Sequence, residues 1–301
     1  MRMNTNHSEQ TTRPTHPLNV LYFGLSGAFS VPPLEALVKI GFAVRAVVLP
    51  ALSSSRSAGV ATPPYTPYVP PTPPPSSRRR SLPLLTKNST RSIVEIAAEH
   101  TIPVLEVMRL RDLATLAAFA AYEPDVICVA CFSLRIPPEI LRLPRLGCLN
   151  VHPSLLPNNR GPDPLFWTFR YGETSTGVTI HQMDEGLDTG PILLHEHIEV
   201  PEGIGEAALE RQCATIGGAL LIRAIHELDS GSITPIAQNE ALASANPWPA
   251  AEDYTITPDR PARWAYNFAS GIVSRTQPLH IITPNRMFRV IAPLGYDAIG
   301  T

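Results

Sequence analysis

Two apolar runs joined by a helix follow the polar start of the chain, and this pattern limits the possible folds strongly. Residues 18–24 and 42–49 each predict a buried strand. Between them, residues 30–40 predict a helix, with Gly41 suited to end it. Two strands joined through a helix run parallel and belong to a sheet with helices packed on its faces. The sequence therefore predicts an α/β fold with a mostly parallel, doubly wound sheet.

Polar side chains cluster where two later strands of this sheet are predicted to end. Asn150 and His152 lie two residues apart in a short strand that Pro153 terminates, so both side chains point to the same side. A second strand, residues 176–182, leads into a glycine-rich loop that carries three acidic residues. One of those carboxylates could meet the amide and the imidazole. An amide donor, an imidazole and a carboxylate are the groups needed for acyl transfer to an amine.

An Asn-x-His pair at a strand end is, taken alone, more often a turn residue beside a satisfied histidine. Here four further motifs follow at compact spacing: Ser154-Leu155-Leu156-Pro157, Arg160-Gly161, Gly177-Val178-Thr179-Ile180-His181 and Asp188-Thr189-Gly190. With these motifs, roughly residues 18–240 resemble the folate-dependent formyltransferases, and most of all the branch that acts on methionyl-tRNA. The resemblance implies a Rossmann-like formyltransferase fold that holds folate rather than NAD.

The same resemblance implies the reaction and the residues that perform it. A formyl group would pass from 10-formyltetrahydrofolate, as cosubstrate, to a primary amine, without a metal. Asn150 and His152 would donate hydrogen bonds to the oxyanion of the tetrahedral intermediate. Asp188 would favour the charged form of His152 and take the proton of the amine, directly or through water. Asp188 is preferred over Asp184 because it immediately precedes Thr189-Gly190.

The resemblance also assigns the loop after the strand at residues 124–130 to the pterin ring of folate. Leu134, Arg135 and Ile136 occupy that loop, and their backbone groups would make the contacts. The alternative is an ordinary strand-to-helix loop. His181 and Asp184 are the other residues expected to line the folate side of the site, and His181 would also orient Asp188.

Residues 52–90 are rich in Pro, Ser and Thr and predict a flexible loop, because they cannot bury enough apolar surface to order themselves. The loop contains three consecutive basic residues, Arg78, Arg79 and Arg80. They are either a solvated charge run or the counterpart of a basic loop that embraces the tRNA acceptor stem in the resembled branch. Arg160 is a further candidate for a tRNA contact, although it is better suited to shape its own loop.

The predicted organisation is a disordered tail at residues 1–17, a catalytic domain at 18–235 and a shortened C-terminal domain at 236–301. Two strand-like runs, 279–283 and 287–292, flank a turn and predict a short β-containing extension. The tRNA-binding barrel of the resembled branch needs more strands than this. A formyltransferase for an amino sugar nucleotide or another small amine therefore stays open. So do a hydrolase that releases formate and a binding protein without turnover.

Net charge, cysteine and histidine placement and the lengths of the apolar segments bear on which classes of function are possible. With 24 basic and 26 acidic residues, the net charge of −2 does not give the global basic field typical of nucleic-acid-binding proteins. Cys128 and Cys131 are predicted to face opposite sides of a strand as buried thiols of a cytoplasmic protein. His195 and His197 share an edge strand, but no third ligand is evident. Neither a metal site nor a membrane span is predicted.

Overall fold

The computed structural model describes residues 17–51, 64–69 and 91–297. The strands of its larger sheet are β1 (Asn19–Gly24), β2 (Ala43–Pro50), β3 (Tyr65–Pro67), β4 (Val104–Val107), β5 (Val126–Ala130), β6 (Cys148–His152), β7 (Ser175–Gln182) and β8 (Ile192–Glu199). The helices are α1 (Val31–Ile40), α2 (Ile93–Glu99), α3 (Leu113–Ala120), α4 (Pro138–Leu141), α5 (Pro164–Tyr171), α6 (Glu206–Asp229) and α7 (Ala262–Ile272).

The larger sheet has the order β3-β4-β2-β1-β5-β6-β7-β8 within the described residues. The five strands from β4 to β6 run parallel, whereas β3, β7 and β8 are antiparallel to their neighbours. After β1, the chain places β2 and then β4 on one side of β1, and it later returns to place β5 on the other side of β1. This reversal creates the crevice at the carboxyl ends of the strands where open α/β sheets bind ligands. The predicted fold class is confirmed.

Successive side chains of the central strands pack alternately into two hydrophobic cores, one on each face of the sheet. Val20 and Tyr22 lie in the core that contains α1, α5 and α6, whereas Leu21 and Phe23 lie in the core beneath α3 and α4. Each of these four residues is fully buried. Burying both faces of a strand explains why its sequence is continuously apolar rather than alternating.

Helix α6 covers the sheet beside the site and packs closely on it. A Cβ atom at Gly217 would lie 2.4 Å from Cγ1 of Val151 in β6, so only glycine permits this approach. The helix therefore presses directly on the strand that carries Asn150 and His152. No helix within the described ranges combines the length and the apolar character needed to cross a membrane.

Residues after α6 pack on the same core as the larger sheet. A second sheet contains three strands in the described part of the chain, in the order β11-β10-β9, with β9 (Thr255–Ile256), β10 (His280–Ile282) and β11 (Met287–Arg289). Tyr254, Phe268 and Leu279 from this part belong to the core that also contains α5 and α6. In consequence, the C-terminal residues extend the core of the sheet domain.

Three details differ from the sequence-based expectations. Residues 65–67, expected to be part of a flexible loop, form an edge strand because their backbone pairs with β4. The C-terminal extension has a third strand, β9, which is too short to give a sequence pattern. Cys131, expected to be buried, is exposed because it follows the end of β5 and adopts a left-handed backbone with φ of 59°.

Candidate active site

The end of β6 places Asn150 and His152 side by side. The strand is hydrogen-bonded to β5 on one side and to β7 on the other, where Asn150 lies opposite His181. The side chain of His152 is 5% exposed and that of His181 is 1% exposed, whereas Asn150 is half-buried. The Asn-x-His pair therefore opens from a rigid, three-strand support toward the crevice.

The loop between β7 and β8 brings the carboxylate of Asp188 to these side chains. Its Oδ1 lies 3.4 Å from Nδ2 of Asn150, 3.7 Å from Nδ1 of His152 and 3.6 Å from Nε2 of His181. The backbone of Asp188 is left-handed, with φ of 53°, a conformation that aspartate tolerates better than most residues. The predicted catalytic set, together with His181, meets at one carboxylate oxygen.

The protonation of the cluster follows from burial and charge together. Burial opposes ionisation of Asp188, but His152, His181 and the backbone N–H of Gly161 outweigh it and hold the pKa of this carboxylate well below its usual value. Burial lowers the pKa of His152, and the attraction of Asp188 does not compensate for it. The cluster at neutral pH is an aspartate beside a neutral imidazole. Asp188 favours the charged form of His152, as expected, but the loss of hydration on burial outweighs this attraction.

Hydrogen bonds define which ring nitrogens carry hydrogen. Nε2 of His152 lies 3.0 Å from the carbonyl oxygen of Asn159, which can only accept, so the hydrogen is on Nε2 and the neutral ring presents a bare Nδ1 to Asp188. Nδ1 of His181 likewise faces the carbonyl oxygen of Gln182 at 3.2 Å. Its Nε2 lies 3.2 Å from Nδ2 of Asn150 and 3.6 Å from Oδ1 of Asp188. His152 was expected to donate to an oxyanion, but Asn159 already occupies its donor nitrogen.

Residues outside the predicted catalytic set hold this geometry. The backbone N–H of Gly161 donates to Oδ2 of Asp188 at 2.9 Å. Gly161 has φ of +116°, and a Cβ there would lie 2.1 Å from the carbonyl oxygen of Asn246. The Arg-Gly motif signalled this position, but nothing in the sequence signalled its distant partners Asn246 and Gln238. Gln238 donates to the carbonyl oxygens of Asp188 and Gly190.

Two of the five predicted folate residues line an open pocket. Leu134 and Arg135 line a pocket of about 510 Å³ together with residues 108–112, whereas Ile136 is buried beneath it. Arg135 donates to the carbonyl oxygen of Glu185, which joins this pocket to the loop that carries Asp188. Asp184 is exposed and accepts from the N–H of Gly186 and the hydroxyl of Thr189, so it shapes the loop.

The residues expected to contact tRNA have different outcomes. Arg78, Arg79 and Arg80 lie outside the described residues. The side chain of Arg160 is only 7% exposed, and its guanidinium donates to Gln238 and Glu240. It is committed to contacts inside the protein, which differs from the expected contact with a tRNA phosphate.

Comparisons with known proteins identify the family. Residues 77–225 match the family described as Formyl transferase. A methionyl-tRNA formyltransferase of Syntrophus aciditrophicus is 36% identical over 241 residues, which cover 79% of this chain and 68% of that protein. The chain belongs to the folate-dependent formyltransferase family. Another relative, the methionyl-tRNA formyltransferase of a Synechococcus species, is 42% identical over 174 residues, which cover 57% of this chain and 54% of that protein.

A solved structure shows the same fold in this family. The methionyl-tRNA formyltransferase from Clostridium thermocellum superimposes with a TM-score of 0.53 at 15% identity, covering 91% of this chain and 97% of that one. Against curated relatives, however, the formyltransferase described here matches between about half and two thirds of their length. The acceptor used by those relatives is therefore a proposal for this chain.

Proposed function

We propose that this formyltransferase moves the formyl group of 10-formyltetrahydrofolate to the amino group of methionyl-tRNA. The observation that carries the proposal is the meeting of Asn150, His152 and Asp188, with Oδ1 of Asp188 within 3.7 Å of the other two side chains. The names of the relatives support the acceptor. A binding protein without turnover would not need an ionised carboxylate against a bare imidazole nitrogen in a buried site.

The proposed reaction needs no nucleophile from the enzyme. The nitrogen of the amine attacks the formyl carbon, the C–N bond forms, and the electron pair of the carbonyl π bond moves to oxygen. Nδ2 of Asn150 donates to that oxygen as its charge develops. Its contact with Asp188 is long, at 3.4 Å, so this hydrogen can be redirected to the substrate at little cost. Removing one such donor typically costs about 100- to 1000-fold in rate.

His152 and Asp188 together handle the proton. The amine becomes cationic when its nitrogen attacks, and its proton passes to Nδ1 of His152, where Asp188 stabilises the resulting imidazolium. The intermediate then collapses: the carbonyl re-forms, the bond from the formyl carbon to N10 of the folate breaks, and N10 receives that proton. Each proton gained by the imidazole is returned, so the enzyme ends in its starting state.

The open pocket beside Arg135 is the proposed folate site. It accepts a flat ring between residues 108–112 and the backbone of residues 134–136, as the resemblance implies for the pterin. At about 510 Å³ it falls within the range of small-molecule sites. A second cavity, near Asn267, measures about 30 Å³ and has room for about one water molecule.

A direct acceptor assay tests the function. The protein is incubated with 10-formyltetrahydrofolate and either methionyl-tRNA or an amino sugar nucleotide, and the formylated product is identified by mass spectrometry. Formylation of methionyl-tRNA supports the proposal. Formylation of the sugar nucleotide alone, or formate release without any acceptor, assigns the same site to one of the other reactions.

A second experiment addresses the basic run at Arg78, Arg79 and Arg80. If these residues contact the acceptor stem, tRNA binding weakens with salt, and replacing all three by alanine weakens binding and makes it less salt-dependent. Initiator methionyl-tRNA binding is measured by filter retention at two salt concentrations. Unchanged affinity and salt dependence would remove these residues from the proposal.

A further inference from the structure

The chain crosses back over the active site after it leaves the larger sheet. Residues 236–246, the crossing segment, begin with Ile236, whose backbone forms two hydrogen bonds of 2.8 Å with Ile192 at the start of β8. At the other end of the segment, the N–H of Asn246 donates to the carbonyl oxygen of Arg160, in the loop that follows β6, at 2.9 Å. The segment therefore contacts the loop that follows β6, the strand of Asn150 and His152, and also the start of β8, which follows the loop of Asp188.

Gln238 makes the contact with the loop of Asp188. Its Nε2 donates to the carbonyl oxygens of Asp188 at 2.8 Å and Gly190 at 2.7 Å. Its Oε1 accepts from Nε and Nη2 of Arg160 at 3.1 and 2.8 Å. A guanidinium has only donors and a carbonyl has only acceptors, so the amide can have only this orientation.

This arrangement holds the backbone at the point where Asp188 turns left-handed. Gln238 holds the carbonyl oxygen of Asp188, and the N–H of Gly161 holds its carboxylate, at 2.9 Å. A residue restrained at both ends cannot rotate its carboxylate away from the imidazole. Arg160 in turn is restrained by Glu240, also in the crossing segment, at 2.7 Å.

The same segment supports His152 through Asn159. The hydroxyl of Ser244 accepts from the N–H of Asn159 at 2.8 Å. Nδ2 of Asn246 donates to Oδ1 of Asn159, also at 2.8 Å. The carbonyl oxygen of Asn159 accepts from His152 at 3.0 Å. Both partners of the proposed proton transfer are thus supported from one segment outside the larger sheet.

We infer that Gln238 is a positioning residue for Asp188, and that the crossing segment is a working part of the active site. The inference rests on the proposed function and goes beyond it. Gln238 touches neither substrate, and it acts by keeping the carboxylate of Asp188 within reach of Nδ1 of His152.

Two substitutions separate the donor role of Gln238 from simple filling of space. Gln238→Met keeps the length and volume but removes all four hydrogen bonds. Gln238→Glu keeps an acceptor for Arg160 but sets carboxylate oxygens against the carbonyl oxygens of Asp188 and Gly190. The matched control is Leu242→Ala, in the same segment, because that side chain is 63% exposed.

The expected result is a loss of kcat of about 10- to 100-fold in both Gln238 variants, since misplacement of a catalytic group by about 1 Å has this effect. KM for the folate changes less than about threefold, because Gln238 does not bind it. Amide hydrogen exchange at residues 184–190 becomes faster in both variants, and the control matches the wild type in every measurement.

Two outcomes would overturn the inference. One is Gln238→Met with the kcat of the wild type, and the other is unchanged exchange at residues 184–190 in that variant. A wild-type protein without formyl transfer would instead refute the proposed function. In that case the exchange measurement still decides whether Gln238 positions the loop.

Discussion

Replacing the central carboxylate, Asp188→Asn, tests the proposed proton transfer with little change in shape. The asparagine keeps the volume and one acceptor oxygen for the N–H of Gly161. It loses the negative charge that stabilises the imidazolium of His152. Because the wild-type imidazole is neutral at rest and charged only during the reaction, this loss affects the transition state more than the ground state.

The magnitude follows from the distance. Two unit charges 3.7 Å apart, as for Asp188 and a protonated His152, attract by about 4.5 kcal/mol at an effective dielectric constant of about 20. At about 1.4 kcal/mol for each factor of ten, this corresponds to roughly a 1000-fold loss of kcat. KM for the folate changes less than about threefold, because the side chain of Asp188 bonds to the protein and not to the pocket.

The assay follows the formation of tetrahydrofolate and of the formylated acceptor under single-turnover conditions, so that product release does not hide the chemical step. The matched control is Asp259→Asn, an exposed carboxylate in the turn after β9, which keeps wild-type kcat. A fall in kcat of less than about tenfold for Asp188→Asn would refute the reasoning, because a charge worth about 1.4 kcal/mol or less cannot be the partner of the imidazolium.

Three further predictions concern neighbouring features. Gly161→Ala lowers kcat about 10- to 100-fold, because its φ and the carbonyl of Asn246 exclude a Cβ; wild-type kinetics would contradict this. The pH profile of kcat/KM falls on the acid side only below about pH 6.5, because burial lowers the pKa of His152 and the neutral ring is the proton acceptor; a fall starting above pH 7 would argue against it. Arg275→Met lowers the free energy of unfolding in urea by about 2–4 kcal/mol, because it leaves two half-buried carboxylates, Asp163 and Glu206, without their cation. The exposed pair of Arg223 serves as its control, and Arg223→Met changes that free energy by less than about 1 kcal/mol, so equal effects of the two variants would count against the argument.

Local patterns in the sequence were sufficient for the sheet and for half of the active site. Continuous apolar runs and the helix between them predicted the parallel core, because periodicity depends only on neighbouring residues. For the same reason, the two-residue spacing in a strand was enough to place Asn150 beside His152. The motif around Asp188 indicated the third member of the set by resemblance.

The tertiary structure alone decided how these groups behave. Burial of His152 determines its charge, and burial is a sum over residues from many parts of the chain. Arg160 was expected to contact tRNA or to shape its own loop, and its bonds to Gln238, 78 residues away, and to Glu240 make it an internal support. The backbone of Asp188 is likewise held by that glutamine. Contacts between residues so far apart leave no periodic or compositional signal, so only the folded chain reveals them.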